Sequence, residues 1–126
     1  FVGPGRVLIQ IDDAMNPDDP WSVAAHRTLA VLKAATDARG RPLQIVRLPE
    51  PVNIRARGDD FVSSYVNYYV CNGAVIAPQF GDRRSDDAAR ALLSDLYPGR
   101  QIVQLNIDPI GASGGGVHCA TQQQPA

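Results

Sequence analysis

Cysteine is scarce in this chain: 126 residues contain two, Cys71 and Cys119. Two cysteines cannot build a disulfide framework, and free thiols in a reducing compartment are the simpler reading. Histidine is equally sparse. His26 and His118 lie far apart and no Cys-x-x-Cys occurs, so no zinc site is expected. The paired acids Asp12-Asp13 and Asp18-Asp19 lack the spacing of a calcium loop, and helix capping accounts for Asp19. Charge of one sign is also missing. Twelve basic residues face thirteen acidic ones, a net charge of -1, which leaves no basic footprint for nucleic acid. No apolar run approaches the roughly 18 residues of a membrane-spanning helix. Low complexity is absent too: 44% hydrophobic and 20% charged residues are ordinary values for a domain with one core.

What is present alternates between strand and helix signals. Residues 6–11 read as a buried strand, apolar on both sides. Asp19-Pro20 opens a helix, with Asp as N-cap and Pro at the first helical position. Its apolar face is Trp21, Ala25, Leu29 and Leu32, and Gly40 after the basic Arg39 is expected to end it. Residues 43–48 form a second strand, and the proline-containing, charged stretch 49–60 is a surface loop. Residues 65–70 and 74–78 read as strands around Cys71-Asn72-Gly73, where Asn-Gly is a strong hairpin signal. Pro78 is expected to end the second of them. Ser85 then caps a helix with Asp86 and Asp87 in its first turn and Ala88, Ala89, Leu92, Leu93 and Leu96 on its buried face. Pro98-Gly99 stops it. Residues 101–107 form a strand, residues 111–116 a flexible glycine loop, and residues 117–122 a last strand-like run.

A weak internal repeat runs through this order. Gln44-Ile45-Val46-Arg47-Leu48 and Gln101-Ile102-Val103-Gln104-Leu105 share four of five residues, and each follows a helix and a Gly-Arg turn. The element order therefore points to repeated β-β-α-β modules, roughly residues 1–60 and 61–126.

The densest chemical signal is Gly114-Gly115-Gly116-Val117-His118-Cys119-Ala120-Thr121-Gln122-Gln123-Gln124-Pro125. A glycine loop lets backbone approach a ligand closely, because no Cβ intervenes. A cysteine just after it can sit at a pocket mouth, and its thiolate is a strong nucleophile where the surroundings favour ionisation. In a strand His118 and Cys119 would point to opposite faces, so His118 reads as a structural hydrogen-bonding residue rather than the base for Cys119. A lone cysteine is otherwise most often a small core residue, and that is the reading for Cys71 beside its turn. Trp21 and the Tyr65, Tyr68, Tyr69 group read as core and hairpin packing. Asp59-Asp60 and Asp86-Asp87 read as solvated or dipole-compensating charges.

Three stretches together resemble the agmatine deiminase family, which is grouped with the bacterial-type peptidylarginine deiminases. They are the Gly-Gly-Gly-Val-His-Cys-Ala-Thr-Gln-Gln-Gln-Pro-Ala ending at 114–126, the run Ser-Tyr-Val-Asn-Tyr-Tyr-Val-Cys-Asn-Gly-Ala-Val-Ile-Ala-Pro-Gln-Phe-Gly-Asp at 64–82, and the opening Phe-Val-Gly-Pro-Gly with Leu32 to Arg41 behind it. The resemblance implies a pentein fold, an α/β propeller of five β-β-α-β modules, of which this chain would be a C-terminal part. The opening at Phe1 rather than Met also reads as the inside of a longer protein. Cys119 matches the family nucleophile, while the family's catalytic His and substrate carboxylates would lie upstream. Gly115 and Gly116 are expected closest to substrate.

The implied activity is conversion of agmatine, a small cationic guanidino substrate, to N-carbamoylputrescine and ammonia through a covalent amidino-cysteine. No metal or organic cofactor is needed. The resemblance further implies a cytoplasmic enzyme of polyamine and putrescine biosynthesis, assembled as a homodimer. The alternatives are the same chemistry on peptidyl-arginine, or a non-catalytic remnant acting as an interaction module. On this reading the chain by itself is inactive, because it needs the N-terminal part.

Overall fold

A computed structural model describes residues 1–124; Pro125 and Ala126, the end of the glycine–cysteine motif, lie outside the described residues. The chain divides into two compact units, Phe1–Pro49 and Glu50–Ala126. Each is an α/β unit built on a parallel strand pair bridged by a helix.

In the first unit, β1 (Arg6–Gln10) and β2 (Gln44–Leu48) pair in parallel, with Arg6 opposite Gln44 and Gln10 opposite Leu48. The helix α1 (Pro20–Ala34) connects them. Asp19 caps it as the sequence predicts: its carboxylate accepts from Trp21 N–H at 2.9 Å, and Pro20 occupies the first turn, where no N–H is needed. Ile9, Ile11 and Leu29 form the core, with Ala25, Leu32 and Ile45 packed against them. Trp21 departs from expectation. It sits at the helix start and is 79% exposed; Ser22 is the buried residue of that turn, and the apolar packing starts at Ala25. The helix also stops at Ala34, before Gly40. Asp37 explains this. Its carboxylate accepts from Arg39 N–H at 2.8 Å, from Arg41 N–H at 3.0 Å and from Arg41 Nε at 2.7 Å. A short acid that satisfies backbone donors ahead of it builds a turn in competition with helix. Gly40, at φ 74°, closes that turn rather than the helix.

In the second unit, β3 (Tyr69–Cys71), β4 (Ala74–Gln79), α2 (Arg83–Leu96) and β5 (Gln101–Asn106) follow in β-β-α-β order. β3 pairs antiparallel with β4, Cys71 opposite Ala74, and β4 pairs in parallel with β5. The Asn72-Gly73 hairpin forms as expected, with Gly73 alone taking positive φ, 77°. Pro78 lies inside β4 instead of ending it. β3 stops opposite Ile76, so at Pro78 the strand has one neighbour, and a missing N–H on the other edge breaks no ladder bond. The first half of the predicted strand 65–70 is a turn, closed by Asn67 N–H donating to Ser64 carbonyl at 3.2 Å.

Asp82, not Ser85, caps α2. Its carboxylate accepts from Ser85 Oγ at 2.9 Å and Ser85 N–H at 3.5 Å, and reaches outward to Val52 N–H at 3.0 Å and Asn53 N–H at 3.2 Å. Those donors hold its carboxyl down at about 2. The buried face of α2 is Asp86, Ala89, Leu93 and Leu96; Ala88 is exposed and Leu92 half-buried. Asp86 is not a solvated charge. It is buried and accepts from Tyr65 Oη at 2.8 Å and from the N–H groups of Phe80 and Gly81, both at 2.9 Å. Tyr65 and Phe80, fully buried, meet edge to face at 5.1 Å. After β5 comes one turn of helix, α3 (Asp108–Gly111), which ends at residue 111, where the sequence predicts a flexible loop to start.

Candidate active site around Cys119

Cys119 lies beyond α3 in a segment that is a turn and not the predicted strand. Gly114 enters it at φ 77°, a conformation that favours glycine. Ala120 N–H donates to Gly116 carbonyl and Thr121 N–H to His118 carbonyl, both at 3.2 Å. Thr121 Oγ1 donates back to Val117 carbonyl at 3.0 Å. These short-range bonds use the groups a strand would need for its ladder. With no strand here, the alternation that separated His118 from Cys119 does not apply, and both side chains are exposed.

The turn is bonded by one residue from a distant part of the chain. Asn67 Nδ2 donates to Cys119 Sγ at 3.2 Å, and Asn67 Oδ1 accepts from His118 N–H at 2.8 Å. The oxygen end is fixed by a backbone donor, so the amide cannot flip without losing both bonds. Gly116 makes room for it: a Cβ there would stand 2.4 Å from Asn67 Cγ. The Asn67 donor is the first cause that lowers the Cys119 thiol below its ordinary value, and Gly116 N–H is the second. Donors favour the charged form, so the thiolate is stabilised by dipoles rather than by a neighbouring charge. An exposed thiol with that bias is a candidate nucleophile.

Of the sequence-predicted site residues, Cys119, Gly115 and Gly116 come together in this turn. The Cβ side of Gly116 is taken by Asn67, whereas at Gly115 the nearest atoms, Ile110 Cγ2 and Cys119 Cβ, stand at 3.6 and 3.7 Å. Asn67 is the residue that sequence reasoning missed, since residues 65–70 read as hairpin packing. Cys71 donates its thiol to Ala74 carbonyl at 3.5 Å inside the hairpin. Tyr68 meets Tyr97, Oη to Oη at 2.7 Å, and Tyr65 is core, so both act in packing. No group of three or more His, Cys, Asp or Glu able to hold a metal occurs among the described residues. No helix among them is long and apolar enough to cross a membrane.

A profile of known proteins, the Porphyromonas-type peptidyl-arginine deiminases, matches residues 1–125. The chain belongs to that family. An agmatine deiminase of Medicago truncatula is 37% identical over 100% of the chain and 38% of its own length. That of Pseudomonas fluorescens is 36% identical over 100% of the chain and 38% of its own length. Among solved structures, the agmatine deiminase of Enterococcus faecalis superposes with a TM-score of 0.86 at 30% identity, covering 99% of the chain and 38% of that protein. The chain thus spans little more than a third of the deiminases it matches, and its mixed helix–strand units share their fold.

Proposed function

We propose that this chain carries the nucleophile of a guanidine hydrolase that converts agmatine to N-carbamoylputrescine and ammonia. The observation that carries the reading is the exposed Cys119 Sγ, held 3.2 Å from Asn67 Nδ2 with its thiol lowered. The relatives' names supply the substrate class. The Cys119 thiolate attacks the guanidinium carbon and forms a C–S bond. A general acid protonates the departing amino group, the C–N bond breaks and ammonia leaves, giving an amidino-cysteine. Water then adds to that carbon, the C–S bond breaks, and thiolate and ureido product separate. The Asn67 N–H stabilises the thiolate before attack and after release. Gly115 and Gly116 line the substrate's approach, with Gly115 the more open of the two.

The general acid and the carboxylates that hold the guanidinium belong, in this reading, to the remaining length of the relatives, so the chain by itself does not turn over. The two units are modules of an α/β propeller, a reading supported by the β-β-α-β order of the second and the β-α-β order of the first. A cytoplasmic homodimer in polyamine biosynthesis, working without metal or organic cofactor, completes the proposal.

The test is ureido-product formation by the natural full-length protein, with agmatine and a blocked arginine peptide side by side. Turnover of agmatine that Cys119→Ser abolishes supports the reading, and activity surviving that substitution sinks it. A second reading, the same chemistry on peptidyl-arginine, is favoured by the family's own description, and preference for the peptide would select it.

A further inference from the structure

Three glycines of the second unit leave no space for a Cβ, and one segment fills all three places. At Gly81 a Cβ would stand 2.4 Å from Arg55 Cγ, at Gly111 2.7 Å from Phe61 Cε2, and at Gly116 2.4 Å from Asn67 Cγ. Residues 55–67 thus run as a strap over the end of β4, over α3 and over the Cys119 turn. Polar bonds tie each seat. Arg55 N–H donates to Phe80 carbonyl and Arg55 Nη2 to Gln79 carbonyl, both at 2.8 Å. Its guanidinium grips Asp108 with two bonds, Nε to Oδ2 at 3.0 Å and Nη2 to Oδ1 at 3.2 Å. Val62 N–H donates to Gly111 carbonyl at 3.2 Å. Asn67 closes the series on Cys119 and His118.

Asp108 opens α3, which leads through Gly111 and Gly114 into the Cys119 turn. The Arg55–Asp108 pair therefore fixes both ends of one relation: the strap that brings Asn67 and the helix that brings Cys119. A fork of two parallel bonds sets orientation as well as distance. We propose that Arg55 and Asp108 are positioning residues, which through the strap 55–67 hold the Asn67 amide in register with Cys119 Sγ. This goes beyond the deiminase reading and needs only that Cys119 be a poised thiol. The groups bearing on that thiol are the Asn67 amide and the Gly116 N–H, with His118 its neighbour in the chain.

The experiment follows Cys119 alkylation by iodoacetamide against pH in the natural full-length protein, read on the Cys119 peptide by mass spectrometry so that Cys71 does not interfere. Asn67→Ala, Arg55→Ala and Gly111→Ala are compared with Leu93→Ala, a cavity at a buried position of α2 outside residues 55–67. The first three should raise the alkylation midpoint by about one pH unit, the scale of one lost hydrogen bond to a charged group. Arg55→Lys should restore part of the shift and carries the test if Arg55→Ala does not fold. Leu93→Ala should lower the melting temperature and leave the midpoint in place. Midpoints unmoved in the Arg55 and Gly111 variants overturn the proposal, as does a Leu93→Ala shift of equal size. Alkylation needs no turnover. A wild type without ureido product but with these shifts defeats the deiminase reading alone; turnover with unmoved midpoints defeats the strap alone.

Discussion

Asn67 has one amide and commits both ends of it to the Cys119 turn, donating to Sγ and accepting from His118 N–H. Its seat is a missing Cβ, which makes adjacent glycines unequal. Gly116→Ala places a methyl 2.4 Å from Asn67 Cγ, so the amide must leave. We expect the Cys119 alkylation midpoint to rise and stability to fall by about 1–3 kcal/mol, the usual cost of overpacking. Gly115→Ala meets nothing closer than 3.6 Å. Its stability and thiol should stay near wild type, so that any loss of turnover reports a lost approach for substrate. Kinetics of the pair beside urea denaturation and alkylation profiles separate the two glycines; equal behaviour would remove the Asn67 seat from the account. Cys119 was legible in the sequence because its glycine run and motif are contiguous. Asn67 was not, because its partners lie more than fifty positions away and its stretch matches a strand pattern.

The elements that present this site hang on two acids at the start of α2, the N-cap Asp82 and Asp86 four residues on. Asp86 faces inward and gathers Tyr65, the end of β4 and the start of α2 into one buried knot. Tyr65→Phe deletes one of its three donors. The buried carboxylate keeps the two backbone bonds, so we expect a loss of about 1–2 kcal/mol, measured by urea denaturation. A change within error would mean that the Tyr65 hydroxyl contributes nothing to the knot. The parallel strand pairs and their bridging helices were legible, because β-α-β order follows from hydrophobic period and caps. Three of the misread places share one cause. At Asp37, Asp82 and Thr121 a short polar side chain bonds nearby groups and overrides the propensity of the residues around it. Trp21 shows the other limit: apolar spacing marks a helical stripe, and tertiary packing decides where along it burial begins.

Across the whole molecule, protonation ties the loop after the first unit to the body of the second. Asp82 receives Val52 and Asn53 N–H as well as its own helix start, and its carboxyl is lowered from 3.8 to about 2. Asp37 is lowered too, chiefly by the Arg41 side chain. A carboxyl depressed in the folded state binds its proton more readily when unfolded. Its stabilisation is therefore complete above about pH 4 and lost as pH falls toward 2. Tyr65 and Tyr68 shift the other way: burial first, then the Asp86 carboxylate at Tyr65 and the Tyr97 hydroxyl at Tyr68, raise them well above the ordinary phenol. Their contribution is complete below about pH 10 and lost above it. Stability should accordingly show a plateau with an acid and an alkaline limb, read as urea midpoints across pH. Asp82→Asn keeps an oxygen to accept the loop N–H groups but cannot titrate, so its acid limb between about pH 4 and 2 should be shallower than wild type. Superimposable acid limbs would show that the loop at residues 52–53, which leads into the strap, is held by something other than the Asp82 charge.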